Sequence, residues 1–133
     1  MQITKQADYA VRAVLHLAEI KKGGRAPTSK IATEKHIPPS FLAKIISQLS
    51  VAGIVETSRG ARGGVALARD PREITLLEVV EAIDGPIHVN ECVKNPDACP
   101  FGGNCKVHEV WCKAQADLIS KLAGTDFGSL VSA

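Results

Sequence analysis

Apolar side chains at Ala7, Ala10, Val11, Val14, Leu15 and Ala18 recur at the spacing of a single helical stripe. They predict a first helix from Thr4 to about Lys22, with Thr4 as N-cap and Gly23-Gly24 as its stop. A short second helix is expected to start at Thr28 or Ser29 as cap, to turn Ile31 and Ala32 inward and to end near His36. Pro38-Pro39 breaks the chain, and Pro39 suits the first turn of a third helix running to about Ala52. Leu42, Ile45, Ile46 and Leu49 form its buried stripe, and Gly53 is its C-terminal cap. The pattern then turns strand-like over Ile54–Ser58 and again over Val65–Ala68, with Arg59–Gly64 between them as the tip of a β-hairpin. Thr75-Leu76-Leu77-Glu78 has the form of a capping box and opens a fourth helix to about Asp84, closed by Gly85-Pro86. Residues 86–104 show no period and are expected to be loop. A long helix follows from about Cys105 to Leu122, with Val107, Trp111, Ala114, Leu118 and Leu122 along one face and Val110 beside them. Thr125 can cap a last short helix containing Phe127 and Leu130.

Three helices followed by a two-stranded hairpin is the order of a winged helix-turn-helix. The expected fold is mainly α with a small β-hairpin. It comprises a winged helix-turn-helix DNA-binding domain over residues 1–72, a connecting helix and cysteine-bearing cluster loop over 73–104, and a dimerisation helix with a short C-terminal helix over 105–133. A chain of 133 residues is too short for two full-sized domains. No apolar run approaches the roughly 18–20 residues of a membrane span, and no secretory signal is visible at the start, so a cytoplasmic protein without a membrane partner is expected.

Charge sharpens this picture. The net charge of +2 hides 12 Lys/Arg against 5 Asp/Glu in residues 1–72, and 4 Lys against 9 Asp/Glu with no arginine in residues 73–133. A basic first half points to a polyanion. The outer face of the third helix, Ser40, Ala43, Lys44, Ser47 and Gln48, has hydroxyl, amide and ammonium groups suited to base edges and phosphates. The hairpin tip carries Arg59 and Arg62 among glycines, a form that can approach a narrow minor groove.

All four cysteines, Cys92, Cys99, Cys105 and Cys112, fall in the acidic half. In a reducing cytosol such a set means metal or redox chemistry more often than disulfides. The spacing Cys92-x6-Cys99-x5-Cys105-x2-His108 is too long for paired Cys-x-x-Cys zinc units and suits a loop wrapping an iron–sulfur cluster. His108 is expected one helical turn after Cys105 on the same face, and Cys112 reads either as core filler or as a further nearby thiol. Bound zinc or a thiol–disulfide switch among the cysteines is the alternative chemistry. An electron carrier is a third, disfavoured because it needs no basic wing or recognition face, and no enzymatic constellation is present.

The opening Ile3-Thr4-Lys5-Gln6-Ala7-Asp8-Tyr9-Ala10-Val11-Arg12-Ala13, the helix Phe41–Leu49, the wing Ser58–Val65 and the segment Cys105–Trp111 together resemble the Rrf-two family of winged-helix transcription regulators, in its IscR-like and NsrR-like branches. The resemblance covers essentially the whole chain. It implies a homodimeric DNA-binding regulator that senses iron–sulfur, redox or nitric oxide status and binds a palindromic double-stranded operator. It implies Cys92, Cys99 and Cys105 as cluster ligands, with His108 matching the fourth ligand of IscR-like [2Fe-2S] sites. Asp8 matches the aspartate that reaches across the dimer to a [4Fe-4S] cluster in NsrR-like proteins, although a first-turn acid pairing with Arg12 is the plain alternative. His108 is preferred because it is local to Cys105, which favours [2Fe-2S] over [4Fe-4S]. Ser40, Lys44 and Gln48 match the recognition face and Arg59 the wing arginine of the minor groove; Thr28 and Arg62 complete the expected DNA-contacting set. Ala43 departs from the acid of the IscR-like pattern. Val107, Trp111, Ala114, Leu118 and Leu122 are the expected dimer interface.

Overall fold

The computed structural model describes residues 2–20, 24–60, 63–95, 97, 100–101 and 105–132. Helix α1 spans Lys5–Glu19, and the Thr4 hydroxyl accepts from the Ala7 N–H as its cap. It ends short of Lys22 because Ile20 turns extended, which sends the chain toward the sheet. The expected stop at Gly23 lies outside the described residues. Helix α2 spans Thr28–Lys35 and α3 spans Pro39–Val51, each entered through a proline, Pro27 and Pro38. Thr28 is thus the first helical residue and not the cap. His36 closes α2 in the left-handed region, with φ of 55°.

Strands β1 (Val55–Ser58) and β2 (Gly64–Leu67) pair antiparallel, as the hairpin pattern predicts. A third short edge comes from before α2. Ala26 and Val65 exchange backbone hydrogen bonds of 2.9 and 2.8 Å, which ties the wing to the start of α2. Gly64 permits this approach: its φ is 138°, and a Cβ there would lie 2.7 Å from the Ala26 carbonyl oxygen. Gly64→Ala is therefore expected to cost on the order of 1–3 kcal/mol in urea unfolding, from backbone strain plus the collision with Ala26. A loss below the error of the measurement would mean the bridge is not closed in solution.

A 3-10 turn at Pro71–Glu73, capped by Asp70, leads to α4 (Leu76–Asp84). Thr75 caps α4 by accepting from the Glu78 N–H at 3.1 Å, but the Glu78 carboxylate pairs with Arg69, so only half of the capping box forms. The segment expected to be loop contains a helical turn, α5 (Glu91–Lys94), with the Asn90 side chain accepting from the Glu91 N–H. Four residues are too few to show a period. Helix α6 spans His108–Ala123 and begins three residues after Cys105, which lies outside it. Helix α7 spans Phe127–Ser132, and its first turn is capped by Asp126, not Thr125. The Ser129 backbone N–H, then its hydroxyl, hold the Asp126 carboxyl below its ordinary range. The cap is accordingly complete at neutral pH and is lost only as the pH falls through that lowered value.

The core forms around α1, whose Ala10, Ala13, Val14 and Leu17 meet Ile31 of α2, Leu42, Ile45 and Leu49 of α3, Val65 of the wing and Val79 of α4. Phe127 of α7 is fully buried in the same cluster, and its N–H donates to the Ile74 carbonyl at 3.1 Å. Ala7, Val80 and Ile87 form a smaller cluster on which Leu118 and Leu122 of α6 lie. Among the described residues no helix is long and apolar enough to cross a membrane.

Candidate nucleic-acid interface and cysteine site

The two helices of the turn motif begin alike. Neither Pro27 nor Pro38 offers a side-chain acceptor, and neither α2 nor α3 has an acid in its first turn. The positive ends of both helix dipoles thus have no acid from their own first turn, which favours phosphate. Thr28, Ser40, Lys44 and Ser47 are exposed, whereas Gln48 is half-buried and its Oε1 has no hydrogen-bond partner among the described residues. Arg59 is exposed beside Gly60, whose φ is 97°. Arg62 lies outside the described residues. At Gly63 a Cβ would sit 2.3 Å from the Ser58 carbonyl oxygen, so the tip tolerates only glycine there.

Sequence reasoning passed over an aromatic group beside this surface. Phe41, in the first turn of α3, is 44% exposed and stands 6.2 Å, centroid to centroid, from Tyr9. The Lys5 ammonium and Arg12 guanidinium lie 5.5 and 5.4 Å from the Tyr9 ring centre, within cation–π range. The signal was present as i−4 and i+3 cations around Tyr9, but Phe41 comes close only through the fold.

The cysteine-bearing segment packs against α6 through α5, and the Gln115 side chain accepts from the Val89 N–H at 3.0 Å. Cys92 on α5 and Cys105 before α6 are half-buried free thiols. Cys99 lies outside the described residues. The contact between Cys105 and His108 is one of backbone and is not helical: the His108 N–H donates to the Cys105 carbonyl at 3.2 Å in the turn that starts α6. The helical neighbour of His108 is instead Cys112, whose Sγ is 3.4 Å from Nε2. His108 Nδ1 is buried and has no partner among the described residues. Asp8 is engaged with Arg12 at 2.6 Å, the i, i+4 pair of the plain reading.

Two free thiols and an imidazole nitrogen without a partner are the donor types that hold an iron–sulfur cluster, so the chemistry of the set fits one. Among the described residues, however, no three His, Cys, Asp or Glu side chains are gathered closely enough to hold one metal ion.

The apolar face of α6 divides. Val107, Val110 and Trp111 are 47, 59 and 39% exposed, and Ala114 is exposed as well. Leu118 and Leu122 are half-buried against the chain's own Ala7, Val80 and Ile87. The expected five-residue interface is thus free of the chain's own core only in its N-terminal part.

Comparison with known proteins agrees with this fold. The family described as Rrf2, iron-dependent transcriptional regulator, matches residues 3–133. The HTH-type transcriptional regulator IscR of Aliivibrio salmonicida is 31% identical over 131 residues, which cover 98% of this chain and 77% of that protein. The structure of CymR, the global cysteine regulator of B. subtilis, superposes with a TM-score of 0.79 at 23% identity, over 99% of this chain and 97% of that one. The IscR structure from T. potens gives 0.77 at 23%, over 99% and 87%. The mainly helical chain with its small wing is no enzyme; it belongs to the Rrf2 family of DNA-binding transcriptional regulators.

Proposed function

We propose that this regulator works as a homodimer on a palindromic operator and that an iron–sulfur cluster bound near the start of α6 sets its DNA affinity. The observation that carries the reading is the His108 Nδ1, buried and without a partner among the described residues, on a residue whose backbone N–H bonds the Cys105 carbonyl, with the free Cys92 thiol on the adjoining α5. Cys92, Cys99 and Cys105 would hold the cluster, with His108 as the fourth ligand and [2Fe-2S] as the type. Asp8 of the partner subunit, with [4Fe-4S], is the less favoured arrangement, since Asp8 would have to leave Arg12. When bound, the cluster supplies a centre that reacts with oxidants or nitric oxide. Residues 86–104 carry its state to α6 through the Val89–Gln115 hydrogen bond, and so to the pairing of the two winged domains. A broad visible absorption band after anaerobic purification is the test. A colourless protein carrying zinc would replace this reading.

A second reading keeps DNA binding and makes the free thiols of Cys92, Cys105 and Cys112 a thiol–disulfide switch. The fold is shared with a protein described as a cysteine regulator, which favours keeping it in view. A colourless, metal-free protein whose thiol count falls on mild oxidation would support it.

At the DNA, Thr28, Ser40, Lys44 and Gln48 are assigned to the major groove and its flanking phosphates, and Arg59 with Arg62 to the minor groove. Arg59→Ala is expected to weaken binding to a cognate site by about 1–3 kcal/mol. For the unaltered protein, the logarithm of affinity should fall with that of salt by roughly 0.9 per phosphate neutralised. An unchanged affinity in the variant would remove Arg59 from the interface, and a flat salt response would contradict the basic face as a whole.

A further inference from the structure

Cys112 is the one cysteine outside the ligand set, and its surroundings give it a separate part. It stands one turn after His108 on α6, half-buried, with Sγ 3.4 Å from His108 Nε2. The other ring nitrogen, Nδ1, is buried and has no partner among the described residues. A neutral imidazole carries one N–H and one lone pair, so two arrangements are open. If Nδ1 held the proton, a buried N–H would go unsatisfied, while Nε2 would accept only the weak thiol donor. If Nε2 holds it, the N–H donates to Cys112 Sγ and the lone pair on Nδ1 is left bare. An orphaned N–H is the rarer and costlier of the two in folded proteins.

We propose that Cys112 is a positioning residue, which accepts the hydrogen bond donated by the Nε2–H of His108 and so presents the Nδ1 lone pair as the ligand. The inference rests on the cluster reading above and deepens it. Histidines that bind metals ordinarily donate their second ring N–H to a fixed acceptor, which sets both tautomer and ring orientation. The acceptor here is a thiol on the same helix. The i, i+4 spacing makes the arrangement independent of the cluster loop, so the ring is oriented before any metal arrives.

The test separates the two layers. Imidazole 15N chemical shifts of the metal-free protein, at a pH where the ring is neutral and with His108 assigned by its loss in His108→Gln, report the tautomer directly. The wild type is expected to show the Nε2–H form. Cys112→Ala is expected to lose that preference, and Cys112→Ser, which keeps an acceptor, to retain it. After anaerobic reconstitution, Cys112→Ala should hold the cluster about tenfold less tightly in competition with a chelator, and Cys112→Ser should stay close to wild type. An Nδ1–H tautomer in the wild type, or an unaltered tautomer in Cys112→Ala, overturns the positioning role. A wild-type chain that takes up no cluster overturns the parent reading, and the tautomer signals, which need no iron, tell that failure apart. A Cys112→Ala variant that binds no cluster, with its tautomer unchanged, makes Cys112 a ligand and overturns the proposal.

Discussion

Replacement of any one of Cys92, Cys99 or Cys105 by alanine is expected to abolish stable cluster binding, read as loss of the visible band after anaerobic reconstitution. Thiolates are the soft, strongly bound ligands of iron–sulfur clusters, and three of them leave little redundancy. The substitutions should leave folding intact, because Cys92 and Cys105 are half-buried and lie outside both apolar clusters. The fourth ligand is weaker, so its loss should leave a labile cluster with an altered spectrum. His108→Ala is expected to show this and Asp8→Ala is not, since Asp8 already answers Arg12 within its own helix. Change in the Asp8 variant alone would favour the arrangement across the dimer and a [4Fe-4S] cluster. If neither variant changes while Cys112→Ala does, both candidate fourth ligands are wrong. Retention of a normal band by any of the three cysteine variants would remove that residue from the ligand set.

The elements that were legible in the sequence are those built from local repetition. The stripes of α1 and α3, the Thr75 cap that opens α4, the proline break before α3, and the glycine-rich tip each state their structure within one or two turns of chain. What was not legible depends on residues distant in sequence. Ala26 forms a one-residue bridge to Val65, which leaves no periodic trace. Glu78 has the right spacing for a reciprocal cap, yet its carboxylate pairs with Arg69, because a charged partner outbids a backbone N–H. Phe127 was placed in a terminal helix, but its burial against the winged-helix core follows from the return of the chain to Ile74. At the cysteine site the spacing misplaced the local geometry. His108 was assigned to a helical turn with Cys105, whereas α6 begins at His108 itself and looks forward to Cys112.

The division of the α6 face makes dimerisation testable without disturbing the protomer. Leu118 is a poor probe: a charge there would also enter the cluster of Ala7, Val80 and Ile87, so loss of the dimer and loss of the fold would coincide. Val110 is the better position, being 59% exposed in the protomer and flanked by the exposed Val107 and Trp111. If this patch is the two-fold seam, Val110→Asp buries an unpaired carboxylate in an apolar contact and meets its own copy across the axis. The cost is several kcal/mol, enough to make the protein monomeric at micromolar concentration. Sedimentation should then give the mass of one chain while the circular dichroism spectrum keeps its helical signal. Affinity for a palindromic site should drop steeply, because each winged domain must now bind its half-site alone, and binding to an isolated half-site should be unaffected. A dimer that survives the substitution would place the interface elsewhere. A monomer that binds the full palindrome as tightly as before would show that the two half-sites are not read by one assembly.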